Sequence, residues 1–354
     1  MNAWAARVSR WIPPEGWKRV LTVDAHTEGE PLRVIFDGFP ELSGESILER
    51  RREARAYHDD LRRALMWEPR GHADMYGCIV GPPVTSEADI GVLFIHNDGF
   101  STMCGHGIIG VTTVLVDCGL LPSHPEEEPG GPERVVGIDT PAGFVRATAH
   151  MIDGRVARVS FVNVPSFAAR LDATVEVKGL GEVRYDLGYG GAYYAYVDAA
   201  DFDLHLVRSE SQRLIELGRR IKRAVQSRDA PEHPGDDDLG FVYGTIFVGV
   251  AHDEGGHSRN VCVFADGEVD RCPTGTGVSG RLAIHHARGE LDVGERITVE
   301  SILGTRFTGR VLGTDQVGPH PAVVPEVSGR AWITGRNELL VDPTDPLAAG
   351  FLLR

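Results

Sequence analysis

Several features that define protein classes are missing from this 354-residue sequence. It has no run of about 18 apolar residues, the length that a membrane-spanning helix needs, and its N-terminus lacks the continuous apolar segment of a signal peptide. Basic residues are outnumbered, because 36 Lys and Arg face 51 Asp and Glu for a net charge of −15. This balance argues against nucleic acid or an anionic membrane surface as a partner.

Cysteine is also scarce and scattered. The five cysteines are too few and too dispersed for a disulfide-stabilised secreted domain; they are Cys78, Cys104, Cys118, Cys262 and Cys272. The histidines do not form a zinc motif such as His-Glu-x-x-His, and we expect His26, His72, His285 and His286 to be structural or surface residues. These absences indicate a reduced, cytoplasmic protein.

Glycine, by contrast, is abundant, with 43 residues, and it marks a motif that occurs twice. The first copy, Cys104–Gly110, reads Cys-Gly-His-Gly-Ile-Ile-Gly, and the second, Thr274–Gly280, reads Thr-Gly-Thr-Gly-Val-Ser-Gly. Each copy precedes a helix-like segment that stops at a glycine, Gly119 or Gly289, so the copies keep a constant offset of 170 residues. The pattern predicts two similar halves, each with one helix that starts at a glycine turn.

The starts of two such helices can form a binding site for an anion. The first backbone N–H groups of a helix have no partner within it and carry partial positive charge, and glycine lets that backbone approach a ligand closely. A cysteine at this position has its thiolate stabilised, so we expect a depressed pKa for Cys104. The two motifs therefore predict a carboxylate-binding cage with a thiol base on one wall.

Two simpler interpretations compete with this one. Both copies match Gly-x-Gly-x-x-Gly, the dinucleotide-binding fingerprint, but that pattern needs a second parallel strand where this chain has an acidic Pro/Gly loop over Pro122–Arg134. Alternatively, Cys104 is only a small buried hydrophobic residue, as most free cysteines are. The glycine motif that contains Cys104 occurs twice in the chain, and this repetition favours the functional interpretation.

The remaining pattern indicates an α/β fold with mixed sheets. Arg19–Ile35 reads as strand, loop and strand, and long helices are predicted over Ser43–Trp67, capped by Ser43 or Ser46, and over Glu210–Ser227. Many short strands surround the two glycine-started helices, so we expect two domains, each a strand-rich layer around a central helix. We place an N-terminal domain at 1–150, with 335–354 returning to it, and a C-terminal domain at 151–334.

Five ordered segments resemble the proline racemase family. They are Asp24-x-His-Thr-x-Gly-Glu-Pro-x-Arg33, Glu68-Pro-Arg-Gly-His72, Met103-Cys-Gly-His-Gly107, Gly190-Gly-Ala192 and Asp270-Arg-x-Pro-Thr-Gly-x-Gly277. The resemblance runs from about residue 20 to the C-terminus. It implies the diaminopimelate-epimerase-like fold, an active site in the cleft between the two domains, a small proline-like imino acid as substrate, and neither cofactor nor metal. The sequence does not determine whether the protein forms a homodimer.

The resemblance also assigns roles to individual residues. Racemases and epimerases of the family carry a second cysteine where this chain has Thr274, so the pair of Cys104 and Thr274 resembles the branch that dehydrates trans-3-hydroxy-L-proline. Asp270 should contact the ring nitrogen, and His106 should lie beside the thiolate. Backbone N–H groups should stabilise the enediolate, and two phenylalanines are candidate apolar walls; these residues are Gly105, His106, Gly275, Thr276, Phe94 and Phe264.

Stereochemistry gives the dehydratase an independent rationale. In the trans substrate the 3-hydroxyl lies on the same ring face as the α-hydrogen, so Cys104 alone could take the proton and return it to the leaving hydroxyl. Cys272 stands where the family usually has serine, and as a second thiol it would restore racemase or epimerase chemistry. Pro273 and the glycine spacing favour Thr274 as the residue opposite Cys104. A racemase or epimerase, or a non-catalytic amino-acid binder, remain the alternatives.

Overall fold

The computed structural model describes residues 3–8, 10–121 and 131–353. The described helices are α1 (Ala3–Val8), α2 (Ile47–Tyr57), α3 (Asp59–Met66), α4 (Gly105–Asp117), α5 (Ser211–Asp229) and α6 (Gly275–Ala287). None of the helices in these ranges is long and apolar enough to cross a membrane.

Strands make up most of the described structure. The first nine are β1 (Lys18–Thr27), β2 (Glu30–Asp37), β3 (Tyr76–Gly81), β4 (Ile90–His96), β5 (Phe100–Ser101), β6 (Glu133–Thr140), β7 (Gly143–Ile152), β8 (Arg155–Val162) and β9 (Ser166–Val177). The other nine are β10 (Gly181–Tyr189), β11 (Tyr193–Asp198), β12 (Val242–Gly249), β13 (Ser258–Phe264), β14 (Glu268–Val269), β15 (Arg296–Glu300), β16 (Arg306–Val317), β17 (His320–Gly329) and β18 (Ala331–Val341). Hydrogen bonds link them into one mostly antiparallel network.

Helix α4 lies at the centre of the first half. Its residues from Gly105 to Leu115 are all buried, as expected for a helix that is apolar around its whole circumference. It packs against β1, β2, β7, β8 and β18. Strand β18, near the C-terminus, pairs antiparallel with β1, with Lys18 opposite Val341.

Helix α6 occupies the equivalent place in the second half. It has 13 residues, as α4 does, and its positions from Gly275 to Ile284 are buried. It packs mainly against β9, β10, β16 and β17. Both helices are followed by a glycine with positive φ, +63° at Gly119 and +69° at Gly289, the conformation that ends a helix. The domain boundaries at 150 and 335 stay a prediction.

The structure differs from the sequence-based expectation in two segments. β1 continues to Thr27 and β2 starts at Glu30, so the predicted loop is reduced to a two-residue turn, because cross-strand pairing extends through its polar residues. The predicted helix over Ser43–Trp67 divides at His58, and Ser46 caps its first part in a capping box with Glu49. Most of the predicted loop over Pro122–Arg134 lies outside the described residues.

Candidate active site

The first turns of α4 and α6 meet directly. A Cβ built on Gly105 would lie 2.6 Å from Cα of Gly275, and one built on Gly275 would lie 2.8 Å from Cα of Gly105. Such distances leave no room for a side chain, so the two backbones touch where their unpaired N–H groups are concentrated. The two glycine motifs therefore form one site, 170 residues apart in sequence.

Cys104 is the N-cap of α4, and its thiol lies within this site. Sγ accepts a hydrogen bond from the backbone N–H of Gly107 at 3.2 Å and lies 3.2 Å from Nδ1 of His106. The carbonyl of Pro31 also acts on the imidazole as a backbone acceptor, and both ring nitrogens lie within 3.6 Å of Sγ. Burial lowers the pKa of His106 to about 3, so the imidazole is neutral at neutral pH.

The expectation of a depressed pKa for Cys104 is wrong. Burial raises the pKa of this thiol well above its usual value, and the carboxylates of Asp270 and Glu30 raise it further. The Gly107 N–H acts in the opposite direction, as predicted for a helix start, but it is outweighed. The reason is that a thiolate in this enclosed, acidic environment loses more hydration than one backbone donor returns.

Thr274 is the N-cap of α6 and is held by Asp270. Its hydroxyl donates to Oδ2 of Asp270 at 2.5 Å, and its backbone has φ +67°, an unusual conformation for a β-branched residue. Burial raises the pKa of Asp270 to about 7, although the hydrogen bond from Thr274 and the charge of Arg271 act against this shift. Strained backbone of this kind is concentrated at functional sites.

A small cavity lies between the two helix starts. Its lining includes most of the predicted site residues together with Met103 and three tyrosines that sequence reasoning missed; the predicted ones are Cys104, Gly105, His106, Phe264, Asp270, Thr274, Gly275 and Thr276. Phe94 is not part of the lining, because it packs behind the helix start, where a Cβ on Gly107 would meet its ring at 2.6 Å.

The three missed tyrosines close the cavity with fixed contacts. The hydroxyl of Tyr194 lies 2.8 Å from Oγ1 of Thr276, and the ring of Tyr76 packs edge-on against His106 at 4.6 Å. Tyr243 stacks on Phe264 at 5.4 Å. The aromatic-rich segment at 185–199 was a signal for Tyr194, but the other two come from unrelated strands that only the fold brings together.

Cys272 lies behind this cavity and does not line it. The side chain is fully buried, and Sγ accepts from the backbone N–H of Thr274 at 3.4 Å. Ligand atoms of Cys272, Asp270 and His106 lie within 4.8 Å of one another, the spacing of groups that could hold a metal ion. Cys272 therefore contacts the site from the side of α6 without facing the space between the helices.

A buried polar bridge joins the two halves next to the site. Glu30 from β2 accepts from the backbone N–H of Arg271 at 2.5 Å, and the guanidinium of Arg271 donates to Asp74 at 2.9 Å. Glu30 is fully buried, and burial together with the nearby charge of Asp270 raises its pKa well above the usual value. These contacts connect residues more than 190 positions apart and fix Asp270 relative to α4.

The fold and the facing helix starts define an α/β protein whose site lies between two glycine-started helices. Residues 22–352 match the family model described as Proline racemase, and the chain belongs to the proline racemase family. The predicted family and the predicted α/β fold with mixed sheets are both confirmed.

Several named proteins resemble this chain over nearly its whole length. A trans-3-hydroxy-L-proline dehydratase from Colwellia psychrerythraea is 44% identical over 353 residues, covering 99% of this chain and 98% of that protein. A 3-hydroxyproline 2-epimerase from Burkholderia multivorans is 45% identical over 337 residues, covering 95% and 99%. A crystal structure of a hydroxyproline epimerase from Agrobacterium vitis, with bound trans-4-hydroxy-L-proline, matches with a TM-score of 0.89, 32% identity and 96% coverage of both chains.

Proposed function

We propose that this protein dehydrates trans-3-hydroxy-L-proline to pyrroline-2-carboxylate, with Cys104 as its acid–base group and without a cofactor. The observation that carries the proposal is the asymmetry of the two helix starts. One presents a thiol beside a neutral imidazole, whereas the other presents a threonine hydroxyl already bonded to Asp270. Relatives named as dehydratases of this substrate support the same assignment.

The substrate's charged groups match the two sides of the cavity. Its carboxylate would accept from backbone N–H groups of the two helix starts, which are the natural anion sites of the fold. Its ring nitrogen, a secondary ammonium group, would lie against Asp270. A cation at this position stabilises anionic neighbours, so substrate binding should lower the pKa of Cys104 from its raised unliganded value.

The chemical step needs a single acid–base group on one face of the substrate's proline ring. The Cys104 thiolate removes the α-proton, and the electron pair enters the carboxylate as an enediolate held by the helix N–H groups. The bond from C3 to oxygen then breaks, and the proton on Sγ returns to the departing hydroxyl to form water. The enamine that remains tautomerises to the imine, which is the pyrroline product.

A hydroxyproline 2-epimerase is the second candidate, since relatives bear that name as well. Epimerisation requires a proton donor on the face opposite Cys104. A threonine hydroxyl has a pKa far above neutrality, and Oγ1 of Thr274 is engaged with Asp270 at 2.5 Å. The other thiol, Cys272, lies outside the cavity lining. These contacts favour the dehydratase.

The deciding experiment compares three substrates without added cofactor. Purified protein is incubated with trans-3-hydroxy-L-proline, trans-4-hydroxy-L-proline and L-proline, and each mixture is assayed for pyrroline-2-carboxylate and for change in optical rotation. We expect pyrroline from the 3-hydroxy substrate alone. Inversion of proline or 4-hydroxyproline without loss of water would instead establish the isomerase, and no deuterium uptake at the α-carbon in any mixture would indicate a binder.

Two cysteine variants form a matched pair for the mechanism. Cys104→Ser should lower kcat by about 10²–10⁴-fold, since it replaces the acid–base group by an alcohol. Cys272→Ser should leave the dehydratase essentially intact. A loss in Cys272→Ser approaching that of Cys104→Ser would reject the one-thiol mechanism.

The homodimer and the cytoplasmic location stay predictions. Light scattering of the purified protein tests whether it forms a homodimer.

A further inference from the structure

Three side chains with metal-binding atoms line the reaction cavity, and a fourth, Cys272, lies directly behind it. We call Cys104, His106, Asp270 and Cys272 the donor cluster. The ligand atoms of the last three lie within 4.8 Å of one another, and Sγ of Cys104 lies 3.2 Å from Nδ1 of His106. All four residues are buried, with exposed fractions of 5% or less. Two thiols, an imidazole and a carboxylate are ligands that zinc accepts in a tetrahedral arrangement.

We propose that the donor cluster binds one thiophilic divalent cation, with zinc as the expected ion, and that the bound cation blocks the reaction cavity. The block of turnover rests on the proposed function, whereas cation binding does not. Three protein ligands with one further position are sufficient for zinc, so Cys272, Asp270 and His106 can form the site and Cys104 can complete it. Binding at Cys104 would occupy the thiol that the reaction uses.

His106 is already oriented as a metal-binding imidazole. The carbonyl of Pro31 acts on the ring as a backbone acceptor, and the imidazole is neutral because burial lowers its pKa, so one ring nitrogen is unprotonated. Histidine ligands of metals typically have such a backbone or carboxylate partner. The same contact that directs the imidazole at the Cys104 thiol therefore prepares it for a cation.

The charges around the donor cluster also favour a cation. Glu30 and Asp74 lie next to Asp270, and Arg271 is the cation that faces them. Oε1 of Glu30 is buried and has no hydrogen-bond partner among the described residues, so an unsatisfied acceptor belongs to a residue that interacts with Asp270 of the donor cluster. An added positive charge offsets this excess of acidic groups. Each thiol that coordinates the cation releases its proton to solvent.

Cadmium titration tests binding without any substrate. The full-length protein is reduced, treated with a chelator, exchanged into chelator-free buffer and titrated anaerobically with Cd²⁺, while thiolate-to-metal charge-transfer absorbance is recorded. We expect one equivalent to bind with two thiolates. Cys272→Ser should lose about half of the absorbance and bind at least roughly tenfold more weakly. Cys118→Ser, which changes an exposed thiol remote from the cluster, should titrate like the parent.

Zinc inhibition provides the second measurement. If the dehydratase is active, Zn²⁺ should inhibit it, and Cys272→Ser should need roughly tenfold more Zn²⁺ for the same inhibition. Thermal unfolding verifies that each variant is folded, and Cys272→Ala replaces Cys272→Ser if the latter is not. Parent-like Cd²⁺ titration in both Cys272 variants, absorbance that disappears in Cys118→Ser, or no charge-transfer band in the parent would overturn the proposal. Cadmium binding by a protein without dehydratase activity would reject the proposed function alone.

Discussion

The backbone of Gly105 lies against that of Gly275 so closely that neither residue has room for a Cβ. This contact joins the N-termini of two buried helices that belong to different halves of the chain. It brings their unpaired N–H groups to one place and sets the distance between Cys104 and Thr274. The cavity between the helix starts is therefore a consequence of the glycine contact.

Gly105→Ala should disable the site. The added methyl group would lie 2.6 Å from Cα of Gly275 and 3.0 Å from the ring of Phe161, and backbone cannot move aside as a flexible side chain can. Separation of the helix starts by even about 1 Å should lower kcat by roughly 10²-fold. Steady-state kinetics with trans-3-hydroxy-L-proline measures the effect. Gly313→Ala, where nothing lies within 4 Å of the new atom, is the control.

Thr274→Cys should add acid–base chemistry on the face opposite Cys104. A thiol there can return a proton that an alcohol cannot, so deuterium exchange and inversion at the α-carbon of trans-4-hydroxy-L-proline should rise by about 10²-fold. Thr274→Ser keeps the oxygen that donates to Asp270 and should show no such gain. Exchange in Thr274→Cys no faster than in the serine variant would contradict the assignment of Thr274 as the non-ionising partner.

Arg259→Met should destabilise the fold far more than loss of a surface ion pair. Arg259 and Glu300 form a buried bridge at 3.0 Å. The substitution leaves the Glu300 carboxylate with the backbone N–H groups of residues 252 and 253 and the more distant Arg306, and should cost about 2–3 kcal/mol. Arg19→Ala removes the exposed pair with Glu338 and should cost less than about 1 kcal/mol. Urea unfolding gives both free energies. Equal losses would show that the Arg259 bridge does not contribute as a buried pair.

His257 should make the fold sensitive to mild acid. The side chain of His257 is exposed, but partial desolvation still lowers the pKa of its imidazole to about 4; the charges of Arg281 and His285 lower it further, while Glu290 acts against them. Because solvent screens an exposed group, the contribution to stability should be small. Between pH 4 and the unfolded value of about 6.5, the unfolded state binds more protons. The contribution is therefore complete above about pH 6.5 and is lost as the pH falls towards 4.

Urea unfolding of the parent and of His257→Gln at pH 7.5, 6 and 5 measures this contribution. The unfolding midpoint of the parent should fall with pH more steeply than that of the variant, because glutamine has no proton to gain. If the unfolding midpoints of the two proteins fell equally with pH, His257 would not be the cause of the acid sensitivity.

The local sequence pattern was sufficient to predict the two glycine-started helices. Both begin where the motifs indicated and are followed by Gly119 and Gly289, because caps, glycine turns and apolar runs are properties of neighbouring residues. The hairpin of β1 and β2 was less predictable. Strand β1 continues through the polar residues at 24–27 because it pairs there with β18, which lies more than 300 residues away.

For the site, too, some features follow from the sequence and others from the fold. The sequence by itself determined the paired motifs, the family, and the positions of Cys104 and Thr274 at the two helix starts, since these follow from residue identity and spacing. Only the tertiary structure decided which tyrosines close the cavity, that Phe94 lies behind it, and that the thiol pKa is raised. Burial and long-range charge set these properties, and both depend on which distant strands the fold packs around a residue.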